Sequence, residues 1–239
     1  MIRAPKTAVE QEKLLTQKMA PGTSMETTTG LDELLAGYVA GRLAEPARVL
    51  VSSHLELSPR HRGYVRSLEA LAGAELDTTA PVELTSRDAR LEAILGLPAM
   101  PERRIQPCES FDPRLPSSLR GLLGRNTLDG LKWRSLMPGV KEFKFGEMDG
   151  CTASLLWIKA GRAVPSHTHD GQELTLVLQG GFSDVDGHYV RGDLAFADDH
   201  VDHKPIADDD EDCICFAVTE GHLRLTGPLG RLIAPFMRM

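Results

Sequence analysis

The segment Gly161-Arg-Ala-Val-Pro-Ser-His167-Thr-His169-Asp-Gly-Gln-Glu173, closed by Gly180, gathers the side chains of this sequence best suited to chemistry. His167 and His169 are two residues apart, so on an extended strand both imidazoles project from the same side. Glu173 lies four residues beyond His169 and folds back toward the same point if a turn intervenes, which Asp170-Gly171 supplies. A fourth donor then has to come from a distant strand, and His203 is the candidate. Three imidazoles and a carboxylate hold one divalent cation; Zn2+, Fe2+, Mn2+ and Ni2+ all accept such donors, and ligand type alone does not choose between them. His188 and His200 read instead as solvated loop residues. Cys213 and Cys215 share one strand face by the same period, as small apolar core residues, with redox sensing beside the metal as the functional alternative.

Strands are the elements that must position this set. Ser154-Leu-Leu-Trp-Ile158, Leu174-Thr-Leu-Val-Leu178, Asp193-Leu-Ala-Phe196 and Cys213-Ile-Cys-Phe-Ala-Val218 read as strands, bounded by Gly, Asp or Pro at the spacing of an all-β barrel. The N-terminal half has a helical period. Leu31, Leu34, Leu35, Tyr38 and Val39 fall on one helix face, with Thr28 or Thr29 as cap and Asp32 and Glu33 in an acidic first turn. Pro46 suits the first turn of a second helix carrying Val49, Leu50, His54, Leu55 and Leu57. Ser58-Pro59 opens a third, with Tyr64, Val65, Leu68 and Leu71, and Thr85 or Ser86 opens a fourth, with Ala89, Leu91, Ile94 and Leu95. Pro98, Pro101, Pro107, Pro113 and Pro116 mark a linker. The predicted organisation is a disordered tail over 1–28, in which Met25 is an alternative start, a helical module over 29–97, a Pro-rich linker over 98–116 and a β-barrel over 117–239.

A chain of 239 residues suffices for one large domain or two small ones. Hydrophobic residues make up 41% and charged residues 26%, ordinary for a soluble globular protein. The net charge is −7, the pI about 5.6, and no Lys/Arg run compensates, which argues against a nucleic-acid groove. A basic protein partner stays compatible with that balance. The first residues lack the apolar core of a signal peptide and no 18-residue apolar run occurs, so a cytoplasmic protein without a membrane span is expected. Four irregularly spaced cysteines, Cys108, Cys151, Cys213 and Cys215, are expected as reduced thiols.

The spacing around His167 resembles the first cupin motif, Gly-x5-His-x-His-x3-Glu-x6-Gly, matched at each fixed position from Gly161 to Gly180. The second cupin motif, Gly-x5-Pro-x-Gly-x2-His-x3-Asn, is matched at Gly192 and His203, whereas Asp198, His200 and Ala207 stand where Pro, Gly and Asn belong. The ligand is kept and its surrounding loop is not. Taken together, the two halves resemble the ChrR-like family of cupin-containing zinc anti-sigma factors, from about Leu31 to the C-terminus. That resemblance rests on Leu31-Asp-Glu-Leu-Leu-Ala-Gly-Tyr-Val-Ala-Gly41, on His54, and on Glu173-Leu-Thr-Leu-Val-Leu-Gln-Gly180, His203-Lys-Pro, Asp212-Cys-Ile-Cys215 and Arg231-Leu-Ile-Ala-Pro-Phe236.

The resemblance implies an α+β multidomain chain: a small N-terminal helical, anti-sigma-like module followed by a C-terminal cupin β-barrel. The helices would grip an extracytoplasmic-function sigma factor. The cupin domain, holding one divalent ion through His167, His169, Glu173 and His203 (Zn2+ by family precedent), would govern release under singlet-oxygen or peroxide stress. A homodimer through the cupin domain is a further option. The family's helical domain also holds Zn2+, with a His before the first helix and a His-x3-Cys-x2-Cys set. Here Thr29 replaces the first His, and Ser58 and His61 replace both Cys. Serine is a poor zinc ligand, so His54 and His61 are at most a residual N-terminal metal site and read as an exposed pair around a helix junction. The competing function is a metal-dependent cupin dioxygenase using the same four residues, with an open coordination position acting as a Lewis acid. Against it, no separate acid or base stands out by spacing. A storage or scaffolding cupin is the third reading.

Overall fold

The computed structural model describes residues 25–98 and 111–226. Residues 1–24 of the expected 1–28 tail, the centre of the expected linker and the Arg231–Phe236 string lie outside the described residues, whereas residues 25–28 are helical and not a disordered tail. Five helices are described: α1 (Met25–Val39), α2 (Glu45–Leu57), α3 (Arg62–Asp77), α4 (Arg87–Leu95) and α5 (Ser117–Leu123). α1 starts ahead of the expected Thr28–Thr29 cap. Pro46 sits in the first turn of α2, where its missing N–H costs nothing. α3 does not open at Ser58-Pro59. Residues 59–61 form a turn closed by Arg62 N–H to Pro59 O at 3.3 Å, and the helix follows. The Arg62 guanidinium explains the delay, donating back to the carbonyls of Leu55 and Glu56 at 2.6 and 2.8 Å and so satisfying the unpaired end of α2. α5 was not expected from the sequence; it closes on Gly124 in the left-handed conformation, φ 65°. No helix among the described residues is long and apolar enough to cross a membrane.

Eleven strands follow: β1 (Arg134–Met137), β2 (Val140–Met148), β3 (Cys151–Ile158), β4 (His167–His169), β5 (Glu173–Gln179), β6 (Gly181–Ser183), β7 (His188–Val190), β8 (Leu194–Ala197), β9 (Ile206–Ala207), β10 (Cys213–Glu220) and β11 (Leu223–Leu225). They form a six-stranded antiparallel sheet ordered β1-β2-β3-β10-β5-β8, a three-stranded sheet β7-β6-β9 and the pair β11-β4. β2 and β3 are joined by Asp149-Gly150, both at positive φ (51° and 80°), the backbone a two-residue hairpin requires.

The large sheet is buried on both faces, which is why its strands read as nearly continuous apolar runs. Inward, Val140, Ile158, Val177, Ala195, Cys213 and Cys215 line one cluster. Outward, Leu155, Leu174, Leu176, Ile214, Phe216 and Val218 join Leu34, Leu35, Leu50 and Leu119 of the helices in a second. Leu35, Leu50 and Leu119 are fully buried there. Each such burial is worth about 2 kcal/mol. The helices and the sheet therefore share one core.

Candidate metal centre

β4 carries His167 and His169 on one side of the strand, β5 begins at Glu173, and His203 arrives from the segment before β9. A bridge between His167 and His203, with reciprocal backbone hydrogen bonds of 3.1 and 3.0 Å, sets their register. One potential ligand atom from each of His167, His169, Glu173 and His203 lies within 4.8 Å of the others. His203 Nε2 is 3.0 Å from His167 Nε2 and 3.4 Å from His169 Nε2. Glu173 Oε2 is 3.2 Å from His169 Nε2 and 3.4 Å from His203 Nε2. All four residues are buried.

The neighbours of these rings decide what the cluster wants. His167 Nδ1 is 2.7 Å from the carbonyl oxygen of Pro165, so Nδ1 carries the proton and Nε2 presents a lone pair. His203 Nδ1 faces the Asp184 carboxylate at 3.3 Å, with the same consequence. His169 keeps a buried Nδ1 without a hydrogen-bond partner among the described residues. Lone pairs converging with a buried carboxylate need a positive charge between them. A divalent ion supplies it, and the donor set fits one.

Without an ion the cluster takes a proton instead. Burial by itself would lower the His203 pKa, but the Asp184 hydrogen bond and then Glu173 outweigh it and raise the ring to about 9. Burial keeps His167 below its ordinary value, against the pull of Glu173, so that ring stays neutral. Burial would raise the Glu173 carboxyl, yet the hydrogen bonds from His169 and His203 hold it well below the usual carboxylate range.

Asp184 is the functional residue that sequence reasoning missed. Its side chain is 4% exposed, and the backbone N–H groups of Asp186 and Gly187 donate to its Oδ1, leaving Oδ2 for His203. The turn-forming Asp184-Val-Asp-Gly187 was the available signal. A carboxylate behind a metal-binding imidazole fixes its tautomer and orientation and raises its basicity.

The other histidines lie elsewhere. His188 Nε2 faces Asp208 at 2.9 Å, and His200 is exposed beside Asp199. His54 and His61 are not an exposed pair. His54 is 1% exposed, with Nδ1 at 2.7 Å from Gly192 O and Nε2 at 2.8 Å from His61 Nδ1. The sequence reading failed because the partner that buries His54, Gly192, stands 138 residues away along the chain. No third ligand joins the two imidazoles among the described residues. Cys213 and Cys215 are buried with sulfurs 3.4 Å apart.

Residues 126–224 match the family described as ChrR Cupin-like domain. The chain is 39% identical over 211 residues to the anti-sigma-E factor ChrR of Cereibacter sphaeroides, a match covering 87% of this chain and 96% of that relative. A crystal structure of Rhodobacter sphaeroides SigE in complex with the anti-sigma ChrR matches 79% of this chain and 96% of the matched chain, at 38% identity and a TM-score of 0.67. A barrel with three imidazoles and a carboxylate at one point, joined through a shared core to amphipathic helices, thus belongs to the ChrR family of cupin-containing anti-sigma factors.

Proposed function

We propose that this protein sequesters an extracytoplasmic-function sigma factor in the cytoplasm and releases it when the cupin domain, loaded with Zn2+, meets a stress signal. Its role is regulatory and not enzymatic. The observation that carries the reading is the apolar surface beyond the shared core. Leu71 and Leu76 on α3, Val82 and Leu84 in the connection, and Ile94 and Leu95 on α4 are all exposed. α4 has no buried residue at all. Helices that leave large aliphatic side chains in water suit a partner offering a matching apolar face. Burying six such side chains is worth on the order of 10 kcal/mol before the costs of association are subtracted.

The test is to mix the purified full chain with each extracytoplasmic-function sigma factor of its own genome and measure complex formation by size exclusion and polymerase displacement. A one-to-one complex that blocks polymerase binding is the expected result. Failure of every candidate to bind overturns the reading.

A further inference from the structure

Barrels of this size are ordinarily filled by their own side chains. This one is not. β8 turns Ala195 and Ala197 inward, and β10 turns Ala217 inward. Ala197 pairs directly with Glu173, and Ala217 pairs with Thr175 two residues further along β5, so small side chains line the wall beside the metal-binding carboxylate. The result is a mainly apolar cavity of about 350 Å3. His167, Glu173 and His203 stand in its wall, while His169 does not line it. An ion held by the four residues would therefore have its open side toward the cavity.

Leu136, Val140, Leu156, Ile158 and Phe182 are among its apolar lining residues, with the charged Glu142 and Lys144 also in the wall. An apolar space of this volume is poorly wetted and favours an apolar body. At interior packing density it accommodates about a dozen non-hydrogen atoms. The charge of the centre selects the head group. A divalent ion with Glu173 as the anionic ligand would retain one positive charge, Lys144 adds another to the wall, and Glu142 is paired with Arg134 at 2.7 Å, which together ask for an anion. Asp184 lies behind His203 and also lines the cavity, opposing a second negative charge.

We infer that the barrel binds a monoanionic amphiphile, an apolar carboxylate of medium chain length, with its carboxylate on the metal ion and its body against Leu136, Val140, Leu156, Ile158 and Phe182. This inference rests on reading His167, His169, Glu173 and His203 as a metal centre.

The test uses the full chain reconstituted with Co2+, whose visible absorption reports a change of ligands. One Co2+ per chain, measured before any ligand is added, checks the metal centre by itself. Decanoate is then titrated, with butyrate as the head-group control. The expected result is a saturable shift of the Co2+ bands by decanoate at concentrations at least a hundredfold below those at which butyrate acts. Ala195→Leu, which fills the cavity, and Leu136→Asp, on the edge strand β1, should each weaken decanoate at least tenfold while retaining one Co2+. Unchanged bands with Co2+ bound, or equal potency of butyrate, overturn the inference and leave the metal centre standing. Decanoate binding seen by calorimetry without a band shift also overturns it, because the carboxylate is then not on the ion. Failure to bind Co2+ overturns both, and is read separately in the first step.

Discussion

His54 Nδ1 lies 2.7 Å from the carbonyl oxygen of Gly192, a contact across 138 residues that ties α2 to the turn entering β8. Nδ1 donates to that carbonyl, so Nε2 accepts from His61 Nδ1 at 2.8 Å. Gly192 is at φ 90°, and a Cβ there would stand 3.3 Å from the Cβ of Leu57. The seam between helices and barrel is thus made by an uncharged imidazole pair meeting bare backbone.

Removing the imidazole should loosen that seam. His54→Ala leaves a void and an unpaired Gly192 carbonyl, and is expected to cost about 2–4 kcal/mol of stability in urea unfolding. A change within error would mean the contact contributes nothing.

Acid should act on the same contact. Burial lowers the pKa of His54, and burial together with Arg60 lowers that of His61. In the unfolded chain both groups return toward the ordinary histidine value of 6.5, so between the folded and unfolded values the unfolded state binds more protons. Stability is then fully present above pH 6.5 and declines as pH falls below it. His54→Gln should flatten that decline in urea midpoints measured from pH 7.5 to 5.5.

At the metal centre, His167→Ala and Glu173→Ala should lower metal occupancy while helical circular dichroism is unchanged, because the helical core lies on the other face of the sheet. Full retention of metal in both variants would remove these residues from the ligand set. Metal uptake must also displace the proton that His203 holds up to about 9. Apparent affinity should therefore rise about tenfold per pH unit from pH 7 toward 9.

Asp184→Asn keeps the size of the side chain and removes its charge from His203. Loss of such a partner lowers metal affinity by about 10–100-fold. Since Asp184 also raises the His203 pKa, the variant should show a shallower rise of metal affinity with pH. That second readout separates positioning of the ring from general damage to the fold.

In the α3–α4 connection and on α4, Leu84→Asp and Ile94→Asp should change stability by no more than about 0.5 kcal/mol, being outside the core. Either should weaken sigma-factor binding at least tenfold, measured against Val185→Asp on the barrel as an exposed control.

Much of the site was legible because strand geometry writes itself into short spacings. His167 and His169 are paired by the pleat, and Glu173 follows a turn of recognisable type. His203 needed a motif, since nothing local connects it to His167. The contacts of Asp184 and of the Gly192 carbonyl were not legible for a different reason, although the turn that holds Asp184 was. Each acts through a contact fixed by the fold, from a turn whose residues would read the same in any hairpin. The same holds for α3, whose start is delayed by Arg62 reaching back to α2, a long-side-chain contact that periodicity does not register. The strands, by contrast, carried their pattern openly, although two-sided burial hid which face was which.

That two-sided burial gives β10 a double allegiance. Cys215 and Ala217 line the hollow, while Ile214 and Phe216, their immediate neighbours, belong to the packing that seats α1 and α2. One thickness of sheet is thus the whole partition between the contents of the barrel and the floor beneath the helices. Close-packed interiors compress little, so a guest that pushes Cys215 outward moves the backbone that also carries Phe216. The proposed sensing and gripping sides thus share a party wall.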